Sequence, residues 1–375
     1  MNKAFNNQFN PARLKEARLL RGYSITDLAA ELDISRQAIS QFELGDSVPK
    51  LETILNLMSV LNFPRSYFFK PKNEQLIGNT FFRASSKLTK KIKDIQIQKS
   101  IYGYEIYNYL SQFVEFPTLN LPKYQYDLGW NKYNIEHLAN RLREYWGLGD
   151  KPISNMVNLL ERNGIIVFSV DTESKAVVDA FYQHRSDRPF IFLGNDKPSA
   201  FRRQLDAAHE LGHALMHQHV EEWDSLTKEE QKLIEEQAFY FASCFLLPKE
   251  AFTKTVTSLS LDHFIDLKTY WRVSAAAMIY RAREIGLMEE NRYTSIQKQI
   301  SMKKMRKSEP LDDMYAVPQP IVMNKAIQTI LKHKVKRPED IILDLSLPQD
   351  QIEQLCNLEK GTLNRIDAEP TIKLL

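Results

Sequence analysis

The sequence is poor in the features that mark secreted and membrane proteins. Its 375 residues include only two cysteines, Cys244 and Cys356, which stand in unrelated contexts. This argues against a disulfide framework and fits a reducing compartment. No apolar run reaches the about 20 residues of a membrane-spanning helix, and the N-terminus lacks a signal-peptide pattern. We therefore expect a soluble, cytoplasmic protein without a membrane partner.

An excess of charge of one sign is also missing. The formal net charge is +3, so any contact with nucleic acid should come from a local patch and not from the charge of the whole chain. The length predicts two or three domains, and the apolar fraction of 43% is enough for real cores.

Histidines are concentrated in one place, because four of the eight lie between residues 209 and 219. His209 and His213 are four residues apart, so on a helix both imidazoles reach one metal ion, and Glu210 reaches a water held by that metal. This H-E-x-x-H arrangement is typical of a zinc hydrolase, with the carboxylate as general base. The alternative is a solvated helix that carries histidines by chance. Apolar residues at helical spacing favour a buried helix, in which histidines need a partner: Leu205, Ala208, Leu211 and Leu215.

A catalytic zinc site needs a third protein ligand and an open position for water. A second helical segment follows the motif, and Pro248 ends it. Glu235 lies three residues before Ala238 and seven before Ala242, so it shares their inward face and is the predicted third ligand. Glu236, one position round the helix, is the alternative, and either glutamate is also explained as a solvated helix charge.

The two segments together carry a family resemblance. H-E-L-G-H-x-L-x-H followed by E-x-x-A-x-x-F-A-x-x-x-L-L-P resembles the ImmA/IrrE family of bacterial and phage metallopeptidases. The resemblance implies a gluzincin-like site with Zn²⁺ on His209, His213 and Glu235, and with Glu210 as the catalytic base.

Nearby positions leave alternatives open. Gln237 and Phe239 stand where the family often has a Glu and an Asn or Asp. His217 matches a histidine common in the family, and three roles remain for it: third ligand, support of a ligand, or packing. His219 occupies the distant ligand position of the metzincin spacing, but Met216 stands where that pattern requires a glycine.

Residues 10–70 predict a compact helical domain. Helix-start signals at Asn10 and Ser24 precede short helices, and a tight turn leads to a third helix over 35–43. Two short helices with a tight turn are typical of a helix-turn-helix DNA reader, because Arg and Gln match guanine and adenine edges in the major groove. The outward side chains of the third helix are Arg36, Gln37, Ser40 and Gln41. The alternative is a small helical domain that binds protein.

The string L-A-x-x-L-x-I-S-R-Q-A-I-S-Q-F-E-x-G-x-x-x-P resembles the XRE/Cro family of phage repressors. The resemblance implies a double-stranded DNA operator contacted by the four outward residues. Because a single helix-turn-helix buries little surface, we expect a homodimer on a two-fold site. An aromatic helical stripe after residue 100 is a candidate dimer seam.

The predicted fold is mainly α with a small β-sheet: an N-terminal four- or five-helix domain, a zincin-like domain and a helical C-terminal region. The predicted strands are 165–170, 176–183 and 189–193, and Asp179-Ala-Phe resembles the edge-strand motif of the metallopeptidase family. An exposed edge would accept a substrate peptide as an added strand.

The predicted divisions are 10–70 for DNA binding, 71–130 for a helical linker with a long helix over 85–114, 131–255 for the peptidase, 256–313 for a helical cover or a second helix-turn-helix, and 318–375 for a small helical domain whose role the sequence does not indicate.

These patterns predict a DNA-binding transcription regulator with a zinc-dependent peptidase domain. The resemblance implies cleavage of a specific partner of repressor or antitoxin type, in a phage, mobile-element, defence or stress circuit. The alternative is a non-catalytic transcription regulator or toxin–antitoxin component in which the zinc is structural or sensory. An open water position beside Glu210 distinguishes the two.

Overall fold

The computed structural model describes residues 8–71, 80–82, 89–171, 180–185, 188–195, 199–218, 220 and 223–364. The chain forms two compact units: Met1–Ile77, Leu88–Phe116 and Ile321–Leu375 make the first, and Gly78–Lys87 and Pro117–Pro320 make the second. The architecture is mainly α with a small β-sheet, as the sequence predicts. Among the described helices, none has the length and apolar character needed to cross a membrane.

The helices are, in chain order, α1 Pro11–Leu20, α2 Ile25–Glu31, α3 Arg36–Leu44, α4 Leu51–Leu61, α5 Lys90–Leu110, α6 Lys132–Tyr145, α7 Met156–Arg162, α8 Ala200–Met216, α9 Lys228–Leu246, α10 Lys249–Thr255, α11 Leu261–Trp271, α12 Ala275–Glu284, α13 Glu290–Met302, α14 Val322–Lys332, α15 Pro338–Leu345 and α16 Gln349–Leu355. Helices α1–α5 and α14–α16 belong to the first unit, and α6–α13 belong to the second.

Each of the first three helices begins at a residue whose side chain caps it. The Asn10 side chain accepts a hydrogen bond from the first turn of α1, and Ser24 and Asp27 form a reciprocal capping box on α2. Ser35 caps α3, and Gly45 ends it in the left-handed conformation at φ 84°. These local signals explain why the boundaries agree closely with the sequence prediction.

The aromatic stripe on α5 is part of a core. Tyr102, Ile106 and Leu110 are fully buried, and α5 packs against α1 and against α14–α16. The hydroxyl of Tyr102 lies 2.7 Å from the hydroxyl of Tyr67. These buried residues are therefore covered by helices of the same chain and are not available as a dimer seam. The predicted start of this helix, at residue 85, lies outside the described residues.

The C-terminal helices are joined to the first unit by polar contacts as well as packing. Arg21, just after α1, donates to the carboxylate of Asp350 at 2.9 Å. Tyr109 donates to Asp344 at 2.9 Å, and the ammonium of Lys70 donates to a backbone carbonyl at the end of α15 at 2.8 Å. Residues 321–364 therefore complete the unit that contains α1–α5, an association that the sequence analysis does not predict.

The sheet has four strands: β1 Thr80–Phe82, β2 Ile166–Val170, β3 Ala180–Arg185 and β4 Arg188–Gly194. Their order is β1-β3-β4-β2, with β2 parallel to β4, and β3 antiparallel to both β1 and β4. The sequence predicts the last three strands but not β1, which is only three residues long. Because β1 pairs with β3 at residues 181–183, this part of β3 is not an edge, contrary to the expectation from the motif at 179–181. Asp179 itself and residues 176–178 lie outside the described residues.

A buried charge network holds the helical cover in the second unit. The ammonium of Lys268 lies 2.9 Å from the carboxylate of Glu309 and 2.8 Å from that of Asp312. Asp312 also accepts from Ser199, the residue that caps α8, and Glu309 accepts from the backbone N–H of Ala275 at the start of α12. One ammonium and two carboxylates thus connect α8, α11 and α12.

We predict that Lys268→Met lowers the free energy of unfolding by about 3–5 kcal/mol, because two buried carboxylates lose their counter-charge. Chemical denaturation measures the loss. The control is Lys303→Met, which removes the cation of the exposed pair with Asp262 and should cost less than about 1 kcal/mol. Equal losses in the two variants would contradict a buried network.

Candidate metal centre and nucleic-acid interface

The H-E-x-x-H motif lies on α8, with its histidines facing the interior. His209 and His213 are almost fully buried, and their Nε2 atoms are 3.0 Å apart. The four-residue spacing places the two rings on consecutive turns of the same face. Two ring nitrogens that face one another at this distance converge on a common point.

Helix α9 brings a carboxylate to the same point. One oxygen of Glu235 lies 3.3 Å from Nε2 of His209, and the other lies 3.6 Å from Nε2 of His213. Donor atoms of these three residues all lie within 4.8 Å of one another. The approach depends on Gly212, because a Cβ built there would lie 3.2 Å from the backbone of Ala238 on α9.

The spacing of these donors fits a metal ion. Tetrahedral zinc, with bonds of about 2.1 Å, places its ligand atoms about 3.4 Å apart. The three observed separations, 3.0, 3.3 and 3.6 Å, lie on either side of that value. Two imidazoles and a carboxylate are also a donor set of catalytic zinc. The residues present therefore fit the ion by both chemistry and distance.

The other candidate residues named from the sequence lie outside this set of three donors or outside the described residues. Glu210 is buried on α8 and lies outside the three-residue donor set. Glu236 points to solvent and pairs with Lys232 at 3.7 Å, with 63% of its side chain exposed. His217 is fully buried and faces Nδ1 of His213, on the side of the ring away from Glu235. His219 lies outside the described residues.

The roles of Gln237 and Tyr126 are visible only in the structure. Gln237 donates to the backbone carbonyls of Leu128 and Trp130 at 3.0 and 3.2 Å, and it contacts His217 at 3.3 Å. Tyr126 donates its hydroxyl to Gln237, and burial raises the pKa of this phenol well above its ordinary value. The only signal in the sequence is that Gln237 departs from the family pattern, and this does not identify its partners.

The four predicted DNA-contacting residues lie on one face of α3. Arg36, Gln37 and Gln41 are exposed, and Ser40 is partly buried. Positions four apart are neighbours on a helix surface, which brings the four side chains together. Ile39, on the opposite face, is fully buried and anchors α3 in the first unit.

A buried ion pair fixes the far end of α3. The guanidinium of Arg18 on α1 contacts both carboxylate oxygens of Glu43, at 2.6 and 2.8 Å, and also donates to the carbonyl of Tyr23. A two-point Arg–carboxylate contact restrains direction as well as distance. The orientation of α3 therefore depends on a pair that the sequence analysis does not identify.

Comparison with known families assigns both regions. Residues 14–68 match the helix-turn-helix family model, and residues 160–283 match the peptidase family model described as the IrrE N-terminal-like domain. The chain therefore contains one region similar to a helix-turn-helix domain and a second region similar to an IrrE N-terminal-like domain. This confirms the two resemblances on which the sequence analysis rests.

Two similar proteins are described as helix-turn-helix transcriptional regulators. An HTH-type transcriptional regulatory protein of Pyrococcus horikoshii is 46% identical over 52 residues, which are 14% of this chain and 16% of that protein. An uncharacterized, SPbeta prophage-derived HTH-type transcriptional regulator of Bacillus subtilis is 33% identical over 63 residues, which are 17% of this chain and 58% of that protein. The chain thus spans less than two thirds of the length of either relative. A solved transcriptional regulator of Mycobacterium tuberculosis aligns over 48% of this chain and 50% of its own, at 15% identity and with a TM-score of 0.30.

We predict that Gly212→Ala lowers the free energy of unfolding, although alanine is the better helix former by about 1 kcal/mol. The added Cβ would meet Phe241 at 3.1 Å and Ala238 at 3.2 Å, so α8 and α9 must separate, at a cost of about 1–3 kcal/mol. Thermal or chemical unfolding of the purified variant measures the sign. An increase in stability would show that the helices do not need this close approach.

Proposed function

We propose that this chain is a DNA-binding transcription regulator whose second unit is a zinc-dependent peptidase that cleaves a specific partner protein. The supporting observation is the convergence of His209, His213 and Glu235 within 4.8 Å, with Glu210 buried beside the first histidine. Under this proposal residues 10–70 bind the operator, 131–255 carry the peptidase and 256–313 cover it. Residues 71–130 link the two functions, and no role is assigned to 318–375.

The catalytic roles follow from the positions of these side chains. His209, His213 and Glu235 would hold Zn²⁺, which supplies the Lewis acidity that lowers the pKa of a coordinated water to about 7. The Glu210 carboxylate takes the proton from the attacking water and delivers it to the nitrogen of the leaving amine. His209, Glu210 and His213 are buried and Glu235 is only partly exposed, so this proton transfer is largely shielded from bulk water.

The partner is inferred from the combination of domains. A DNA-binding domain and a peptidase in one chain suit control of transcription by removal of a repressor- or antitoxin-type protein. The prophage origin of the Bacillus subtilis relative supports a phage or mobile-element circuit, alongside defence or stress circuits. A DNA partner also places the protein in the cytoplasm.

Operator recognition is assigned to Arg36, Gln37, Ser40 and Gln41 on α3. The recognition helix of a helix-turn-helix protein reads the major groove, and two copies read half-sites about one helical turn of DNA apart. We therefore propose that the protein binds its operator as a homodimer.

The decisive variant is Glu210→Gln, which keeps the shape of the side chain and removes the base. Wild type and Glu210→Gln should each hold one zinc per chain and bind DNA equally. Cleavage of the partner should be at least about a hundredfold slower in the variant, the lower range for loss of a positioned base. The measurements are elemental analysis and cleavage of proteins encoded by adjacent genes.

His213→Ala is the matched variant for metal binding and should lose the zinc. Full zinc occupancy in His213→Ala would show that the ligands are assigned wrongly. Full regulatory activity in Glu210→Gln, with no cleavage by either protein, would favour the non-catalytic regulator with a structural or sensory zinc.

For the DNA interface, we predict that Arg36→Ala relaxes base preference by about 1–3 kcal/mol at the position it reads. Lys15→Ala is the control, because it removes the same charge from an exposed site on α1. Binding assays on a panel of operator variants separate loss of specificity from loss of charge. An unchanged sequence preference in Arg36→Ala would count against Arg36 as a reader.

A further inference from the structure

A line of hydrogen bonds runs from the metal-facing histidines to the backbone of the segment before α6. His213 and His217 face one another through their Nδ1 atoms at 2.9 Å, and Nε2 of His217 lies 3.3 Å from Oε1 of Gln237. The amide nitrogen of Gln237 lies 3.0 and 3.2 Å from the carbonyl oxygens of Leu128 and Trp130. His217 and Gln237 are both buried, so the line is shielded from solvent.

The orientation of the Gln237 amide can be derived from its partners. Backbone carbonyl oxygens only accept hydrogen bonds, so the atom that faces two of them must be the NH₂ group. The other end of the amide is therefore the oxygen, which accepts from the hydroxyl of Tyr126. Three independent contacts thus determine which end of Gln237 faces His217.

The orientation of Gln237 determines the positions of two protons. Because Oε1 of Gln237 can only accept, Nε2 of His217 must carry a hydrogen, and Nδ1 of neutral His217 is then an acceptor. Nδ1 of neutral His213 faces that acceptor at 2.9 Å and therefore donates to it. The lone pair of His213 is therefore on Nε2, the atom that faces His209 and Glu235.

We propose that His217 and Gln237 are positioning residues that fix the tautomer of His213, so that the lone pair on its Nε2 is available to bind the metal. This inference rests on the metal site of the proposed function. The ring of His217 is itself held by an edge contact with Tyr126, at 5.1 Å between ring centroids and 87° between planes. Hydrogen-bond partners of this kind set the orientation and basicity of a metal-binding imidazole.

The amide at position 237 both accepts and donates hydrogen bonds, which a carboxylate cannot do. Gln237 accepts from His217 and donates to Leu128 and Trp130, whereas a glutamate there could only accept. Gln237→Glu should therefore keep the His213 tautomer but lose both bonds to the 128–130 backbone. Gln237→Met removes both the acceptor and the donors.

The first test measures affinity for zinc alone, by competition with a chromophoric chelator, in the full-length protein. His217→Leu should bind zinc about 10–100-fold more weakly than wild type, the usual effect of losing the partner of a ligating histidine. His217→Asn should remain close to wild type, because its Oδ1 takes the place of the lost Nδ1 acceptor. His263→Leu is the control, since it removes a histidine from α11, away from this line of hydrogen bonds.

The second test reads the tautomer directly by nitrogen-15 NMR of the histidine rings, before and after zinc is added. Wild type, His217→Asn and Gln237→Glu should show His213 protonated at Nδ1 only. His217→Leu and Gln237→Met should show a mixture of tautomers in the zinc-free protein. A purely structural role for His217 would leave the His213 signals unchanged.

The outcomes separate this inference from the proposed function. If wild type binds zinc while His217→Leu keeps both its affinity and the single His213 tautomer, the positioning role is overturned and the metal site stands. If wild type binds no zinc, the metal site fails, and the ring-nitrogen spectra still decide whether His217 and Gln237 select the tautomer. Should His217→Leu fail to fold, the Gln237→Met and His217→Asn spectra give the same decision.

Discussion

The close approach of α8 and α9 at Gly212 is the constraint on which the second unit depends. A bare backbone at this crossing lets two side chains of α9 reach the row of histidines on α8 from opposite ends. Glu235 contacts the imidazoles of the H-E-x-x-H motif, while Gln237, two residues later, contacts His217. A shift of one helix along the other would displace both contacts together. The helix packing, the spacing of the three donor residues and the hydrogen bonds of His217 therefore all depend on the close approach at Gly212.

The parts of the site that could be predicted from the sequence are those set by local geometry. Two histidines four residues apart must share a helix face, and Glu235 shares a face with Ala238 and Ala242, whichever fold contains them. Helix ends were also predictable, since caps such as Ser24 and Ser35 act on backbone groups within one turn. The prediction of Glu235 rather than Glu236 as the third ligand follows from the same helical periodicity.

The parts that could not be predicted depend on contacts between residues far apart in sequence. The stripe on α5 indicates a buried face, but nothing in its pattern specifies that α14–α16 provide the cover. Strand β1 is too short to show a period, and it exists because β3 offers it hydrogen-bond partners. Likewise, nothing near Arg18 in the sequence indicates that it pairs with Glu43, which lies on a different helix. The hydrogen bonds of Gln237 also depend on a distant segment, because their acceptors are backbone carbonyls in residues 128–130.

The first unit is built from segments that are synthesised at very different times. During synthesis its N-terminal helices leave the ribosome early, whereas α14–α16, which cover α5, follow about two hundred residues later, after the whole second unit. Domains generally fold as they emerge, so the second unit can fold first while the part of α5 that α14–α16 cover stays exposed. The helix-turn-helix unit therefore reaches its final form only when the last helices of the described chain arrive. A nascent or shortened chain would possess α3 but not the complete body that supports it.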